Sequence, residues 1–548
     1  MSIKSAISNG IESTIAVVAP IRAVKRRRAH RQMAIADALF GTGGYTGASM
    51  TRRTTAAWMT NAADADGSSL PDIPKLRERS RDMLRNMPLA AGAIKTVTQS
   101  VIGTGLMLSS TPDIEALGWT EEEGLKFAAL VEREWNSWTE DTDCDATRTQ
   151  NFYGIQSLAF RSALESGDVF ALLPMLPKSH GRPYCTQIQI VEADRVANPT
   201  RATLDGARME SGNRVYSGVE KNALGAPVRY HILDRHPGGA DGITNNKTIP
   251  YAAFGTKTGR RNVIHLFDRL RPDQSRGVPY LAPVMELFHQ LGKYTDAEVQ
   301  AAVVSSCFTV FVKTPAGEGA QSAGSQSGVA QDEYGNALKL ESGSIVDLAD
   351  GTDVSFANPG RPNTAFDAFV MSILRQIGVA LGLPFEVLIK HFTASYSAAR
   401  AALLEAWKFY LNRRHWFAAG FCQPIFEAWF AEAVSLGRIP APGFDMPDLR
   451  KAYLGCEWTG DAPQSIDPVK DARANLINLQ MCVTNRRTIT KQTSGEPWEA
   501  VERQLAYENR KLIADGLEPP QPVKGTGGDS STPPESDEGS DREDERKD

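Results

Sequence analysis

The sequence predicts a mixed α+β chain of several parts, and three observations predict it. Short apolar runs separated by turn residues fill 168–267 and read as strands. Helical periodicity flanks that region on both sides. Farther on, Asn363–Val434 reads as a helix, a short loop and a very long second helix.

The last stretch organises the rest. Its first helix opens after Pro362, with Asn363 or Thr364 as N-cap and Asp367 near the positive end of the dipole. Phe366, Val370, Ile373, Ile377 and Leu381 recur at helical spacing and make one face. Gly382 and Pro384 stop the helix. The second helix, from Ser397 to about Val434, would span roughly 55 Å. Pro424 inside it should kink it, because proline lacks an N–H and crowds the preceding turn. Between the two helices, Phe385–Tyr396 is expected to be a loop. It reads either as an ordinary connection or as a segment that two helices display into a shared space.

The totals bound the function. A chain of 548 residues, 41% hydrophobic, can fold into several domains. No window approaches the roughly 18 uninterrupted apolar residues of a membrane-spanning helix. The apolar run Ile15–Ile21 precedes its basic cluster, whereas a secretory signal has its charges first, so a cytoplasmic or assembly-compartment protein is expected. The six cysteines are scattered without a C-x-x-C and read as free thiols. A net charge of −5 argues against a protein that grips nucleic acid tightly, though not against one that surrounds it.

Taken in order, residues 1–60 look like an arm, with a basic run from Lys25 to Arg31 and then the glycine-rich GTGGYTGAS. In Pro74–Leu108, Arg77, Arg81 and Arg85 share one helical face, which reads as a solvated or salt-bridged face before it reads as a phosphate track. Glu121–Trp138 and Asn151–Glu165 are amphipathic helices. Strands follow at Asp168–Leu176, Gln187–Val191, Val215–Val219, Val228–Leu233 and Val263–Phe267, with a turn at Leu224–Pro227. His265 lies among apolar residues and reads as a packed histidine. A long helix from Pro279 to Ser306 carries Ala297, Ala301 and Ala302, small enough for close packing against a neighbour. A β-rich insert at about 307–362, with a flexible loop at 315–336, separates it from the helix that follows. Trp458 precedes a linker, Asp467-Pro468 opens a helix that runs on to Cys482–Val483, and a last helix from Pro497 to Ala514 turns Trp498, Val501, Leu505 and Leu512 inward. From Leu517 the acidic, Pro/Gly/Ser-rich tail cannot bury a core and is expected to be disordered.

No local motif carries catalysis. GTGGYTGAS lacks the lysine of a phosphate-binding loop, and H-E-x-x-H and G-x-S-x-G are absent. Glu192 and Asp194 end a strand with nothing to complete a site, and His231 and His236 are isolated. No catalytic residue, metal ligand or cofactor is expected.

The order helix, β-insert, helix, loop and long kinked helix resembles the lambda-like family of tailed-phage portal proteins. The matching blocks are RSRDMLRNMPLAAGAIKTVTQSVIGTGLMLSS, VIHLFDRLRPDQSRGVPYLAPVMELFHQLGKYTDAEVQAA, LRQIGVALGLPFEVLI, SYSAARAALLEAWKFY and IDPVKDARANLINLQ. The resemblance implies a portal-protein fold assembled as a dodecameric ring, a channel for double-stranded DNA at one capsid vertex of the virion, put together in the host cytoplasm. It implies a flexible arm (1–60), a wing (61–275), a first stem helix (276–306), a clip (307–362), a second stem helix (363–383), a tunnel loop (384–396), a long kinked helix (397–436), wing and crown helices (437–516) and a tail (517–548). Glu386, Lys390, His391, Phe392, Thr393 and Ser395 would line the channel, Pro384 and Pro424 would stop and kink helices, and Ala297, Ala301, Ala302, Ile373 and Ile377 would pack the stem. Implied partners are the terminase large subunit, the major capsid and scaffolding proteins and a head-completion or tail-connector protein, with no membrane. A mildly acidic chain suits a conduit, because DNA carries a charge every ~1.7 Å and a uniformly basic wall would oppose sliding. The rival readings are a magnesium-dependent nucleic-acid-processing enzyme and a monomeric DNA-binding module using Arg77, Arg81 and Arg85.

Overall fold

The computed structural model describes residues 46–49, 53–60, 62–177, 182–199, 204–239, 247–306, 310–313, 353–356, 366–392, 395–462, 467–495 and 498–519. The basic run Lys25–Arg31, the loop 315–336, most of the rest of the expected β-rich insert and the tail from residue 520 lie outside them. The chain divides into two compact units, 1–68 and 69–548. In the first, a 3-10 turn spans Thr46–Ala48, and Trp58 and Met59 are exposed.

The second unit opens with α1 (Ile73–Asn86) and α2 (Pro88–Val101). Met87 is extended between them, and Pro88 takes the first position of α2, where its missing N–H costs no helical bond. β1 (Met107–Ser110) follows. Thr120 and Glu123 close a capping box on α3 (Glu121–Thr139), which buries Phe127, Val131, Trp135 and Trp138 along one face. The Asn151 side chain caps α4 (Phe152–Ser166).

Strands then dominate, as expected. They are β2 (Asp168–Leu172), β3 (Gln189–Val191), β4 (Ala207–Arg208), β5 (Arg214–Tyr216), β6 (Val219–Lys221), β7 (Pro227–Leu233), β8 (Thr248–Ala252) and β9 (Val263–Phe267). They form two antiparallel sheets, of order β3-β2-β9 and β4-β5-β6-β7-β8. The run Val215–Val219, read as one strand, is instead a hairpin tip. Ser217 and Gly218 sit at φ 44 and 85, and positive φ at both central residues matches the twist of the flanking strands.

A 3-10 turn at Ala282–Val284 leads into α5 (Met285–Ser306). β10 (Val310–Lys313) and β11 (Asp353–Phe356) pair antiparallel. α6 (Phe366–Leu381) ends at Gly382, φ 67. The expected loop after Pro384 is not all loop, because Phe385–Ile389 forms the short helix α7. The long helix is not one α-helix either. α8 (Tyr396–Phe417) passes through a π-helical turn at Ala418–Cys422 into α9 (Gln423–Ser435). Pro424 stands in the first turn of α9, and in the widened turn ahead of it the Gln423 amide donates to Ala418 O.

After α10 (Pro447–Tyr453), Trp458, expected to precede a linker, lies in a short strand. It is β12 (Cys456–Thr459), paired antiparallel with β1 across the length of the chain. α11 (Pro468–Gln480) starts at the expected Asp467-Pro468 cap but ends before Cys482–Val483. The helix α12 (Arg486–Thr493), absent from the sequence reading, precedes α13 (Trp498–Ala514). Among the described residues none of α11, α12 and α13 is fully buried; of the face expected to turn inward, Trp498, Val501 and Leu512 are half-buried and Leu505 is exposed.

The core gathers on α9, where Ile425, Phe426, Trp429, Phe430 and Ala433 are all buried. Trp135 sits at its centre, with ring centroids 5.0 Å from Trp429, 5.6 Å from Phe426, 5.2 Å from Phe152 and 5.9 Å from Trp458. A helix apolar on all sides belongs inside, whereas α8 is exposed along much of its length. Glu432 on α9 is buried and accepts hydrogen bonds from the Cys185 and Thr186 amides, 2.6 and 2.8 Å away, which ties the β-rich half to this core.

Candidate functional site

α5 and α6 pack against each other. Tyr294 stacks on Phe366 at 5.5 Å and meets Phe369 edge-on at 5.1 Å. Ile377 is buried, Ile373 and Ala301 are half-buried, and Ala297 and Ala302 are exposed in the single chain. At the end of α6 the Leu383 amide donates to Gly378 O (2.9 Å), closing the helix through left-handed Gly382. The Tyr280 hydroxyl donates to Leu381 O, pinning this corner to the start of the α5 segment.

Pro384 redirects the chain into α7, whose Val387 and Leu388 are buried and whose Phe385 ring lies under Arg375 at 5.2 Å. The sequence held a signal for this helix, with proline ahead of its first position, Glu386 in its first turn and two consecutive apolar residues to bury. Lys390 ends α7 in the left-handed conformation, φ 55, and the His391 amide donates to Glu386 O (3.1 Å). Lys390, His391, Phe392 and Ser395 are exposed, whereas Glu386 is half-buried; Thr393 lies outside the described residues. A cation, an imidazole and an aromatic ring are thus held out from a closed helical corner, just before α8 begins.

The arginine face of α1 is spent internally. Arg77 is buried, its Nε donates to Ser166 O (2.8 Å) and its Nη2 to Asp168 Oδ1 (2.8 Å). Burial and the neighbouring Arg276 and Arg81 charges lower it to about 10, against the pull of Asp168 and Asp194. Arg81 pairs with Asp194, Glu192 and Glu165. Only Arg85 of the three is exposed, so the stripe is not a phosphate track.

Asp168, at the head of β2, is the node of this network. Arg276, with no exposed side chain, donates from Nε to Asp168 Oδ2 (2.5 Å) and from its two Nη atoms to Val196 O (2.9 Å), Ser217 O (2.6 Å) and Ala193 O (2.7 Å). Burial alone would raise the Asp168 carboxyl. The Arg276 and Arg77 charges, with bonds from His265 and Arg276, outweigh it and hold the group far below its ordinary value. His265 is the packed histidine expected, stacked on Phe170 at 4.1 Å and on Phe267 at 4.5 Å. Burial lowers it to about 4, although Asp168 favours its charged form. Sequence reading singled out neither Asp168 nor Arg276, because partners 108 residues apart leave no local pattern.

The fold does bring His236 to Glu192 and Asp194, a trio able to converge on one cation, where the sequence showed isolated residues. His236 Nε2 lies 3.7 Å from an oxygen of each, and both carboxylates also pair with Arg81, while Arg77 lies 3.7 Å from Asp194. The same carboxylates thus serve the ion-pair network of α1.

The family described as phage portal protein, lambda family, matches residues 51–414. The chain belongs to that family and is a phage portal protein. Portal protein B of Escherichia phage lambda is 26% identical over 493 residues, which cover 85% of this chain and 89% of that protein. The portal protein of Escherichia phage N15 is 26% identical over 492 residues, covering 84% and 89%. Among solved structures, a chain from the neck of an empty gene-transfer-agent particle computed with C6 symmetry aligns with 13% identity and a TM-score of 0.42, covering 86% of this chain and all of that one.

Proposed function

We propose that copies of this chain close into a ring at one vertex of the capsid, a channel through which double-stranded DNA enters during packaging and leaves on ejection, with no chemistry of its own. The observation that carries the reading is the corner Pro384–Ser395. Two packed helices, α5 and α6, end in a braced turn that holds Lys390, His391 and Phe392 out from the chain. In this reading α5 and α6 are the stem, the β10–β11 pair belongs to the clip that meets the terminase large subunit and later the tail connector, and 384–396 is the tunnel loop. The wing comprises 61–275, the crown comprises α11–α13, and exposed Ala297 and Ala302 face the neighbouring stem. A head-to-tail interface that closes gives a ring, and a ring supplies a partner for helices with no buried side chain. A few displayed cations on a chain of net charge −5 allow DNA to slide.

The test combines electron microscopy and light scattering of the purified chain with a packaging assay on a variant shortened between Lys390 and Ser395. The expected result is rings in both proteins and impaired packaging or retention in the variant. A persistent monomer with metal-dependent nuclease activity defeats the channel. Normal packaging and retention by the shortened ring defeats the tunnel-loop assignment.

A further inference from the structure

Two arginines of α8 reach the C-terminal part of the chain, Arg414 at the exit of β12 and Arg400 at α11. Arg414, in the last turn of α8, is buried. Its Nε donates to Val101 O (3.0 Å) and its Nη2 to Ser100 O (3.2 Å), the carbonyls at the end of α2. The same Nη2 donates to Asp461 O (3.1 Å), on the strand exit that leads to α11. The Asp461 carboxylate accepts from the Thr104 amide (2.9 Å) and hydroxyl (2.6 Å). Gly103, at φ 59, leaves room for this, since a Cβ there would fall 1.9 Å from Asp461 Oδ2. Near the other end of α8, Arg400 Nη2 bonds Asp471 Oδ1 (2.7 Å) in the first turn of α11. The pair is more than a third exposed on both sides and so weaker than the buried strut.

One helix therefore holds the C-terminal segment near both of its own ends, and that helix starts immediately after the displayed residues. Its downstream junction is the π turn, where the regular bond ladder is re-spaced, and beyond it α9 is locked in the aromatic core. We propose that Arg414 and Arg400 are positioning residues that transmit the position of the displayed segment, through α8 pivoting at Ala418–Cys422, to α11–α13. What fills the space in front of Lys390–Phe392 is thereby reported at the far helices. The inference rests on the channel reading of that segment, but its test does not.

The test is amide hydrogen exchange on the full chain. Lys390→Pro moves the segment, because proline is held near φ −65° and Lys390 sits at φ 55; Lys390→Val, whose β-branched side chain disfavours a positive φ but keeps the amide, serves if the first variant does not fold. Arg414→Met with Arg400→Met cuts the struts. Either Lys390 variant is expected to change exchange over 468–480 and 498–514 by about tenfold, in keeping with loss of a charge-assisted bond, and that change is expected to vanish in the arginine double variant. Unaltered exchange over 468–514 in both Lys390 variants overturns the coupling, as does an equal change with and without the arginines. Because DNA is absent from the measurement, failure of the channel reading would show separately, in the packaging assay.

Discussion

Asp168 shows how a single side chain can set the acid limit of a protein. It is fully buried and faces two guanidinium groups and an imidazole. Asp168→Asn leaves Arg276 and Arg77 without their counter-charge and should cost about 3–5 kcal/mol in urea unfolding. His265 adds a pH dependence with a definite sign. Its folded pKa, about 4, lies below its unfolded value of 6.5, so the unfolded chain binds the extra proton between those limits. Stability therefore rises with pH across that window and falls as pH drops through it. Asp168, also depressed when folded, adds a second loss as pH falls below about 4. His265→Gln should flatten the melting temperature between pH 6.5 and 4, and a slope as steep as that of the parent would refute the assignment. At this scale the packing of His265 was legible from its apolar neighbours, whereas its carboxylate partner was not, because pairing of β2 with β9 brings the two together.

At the scale of elements, periodicity and caps carried far. The Thr120 capping box, Pro88 at the head of α2 and the Asp467-Pro468 start of α11 were all readable locally, since each is satisfied within one turn. The π turn was not. Pro424 announced an irregularity, but its form depends on what packs there, and a Cβ on Gly420 would fall 2.5 Å from the Leu266 side chain. Gly420→Val should therefore cost about 1–3 kcal/mol through overpacking, measured by chemical denaturation against Gly92→Val inside α2, where nothing stands within 4 Å of a Cβ; equal losses would mean that helix propensity, not space, sets both. Trp429→Ala, which empties the middle of the aromatic cluster, should cost about 3–5 kcal/mol. The β12 strand escaped sequence reading because four residues carry little pattern, and their partner β1 lies some 350 positions earlier.

At the scale of the whole molecule, α11–α13 are the outlying feature. Leu476 and Ile477 are 42% and 52% exposed, so Leu476→Glu with Ile477→Glu should move the isolated chain's stability by no more than about 0.5 kcal/mol. If the ring supplies their cover, the same pair should lower assembly measured by light scattering, and unchanged assembly would remove them from the subunit contact. By itself the sequence determined the mixed fold class, the helices and most strands, the absence of the common catalytic motifs and, through long matching blocks, the portal family, because these are written in period, caps and linear order. Only the tertiary structure decided that the arginine face of α1 is an internal ion-pair network, that the long helix breaks in a π turn, that part of the expected loop is helix and that, among the described residues, the last three helices hold none that is fully buried. Those outcomes depend on residues tens to hundreds of positions apart meeting in space, and burial and charge pairing act on that distance, not on distance along the chain.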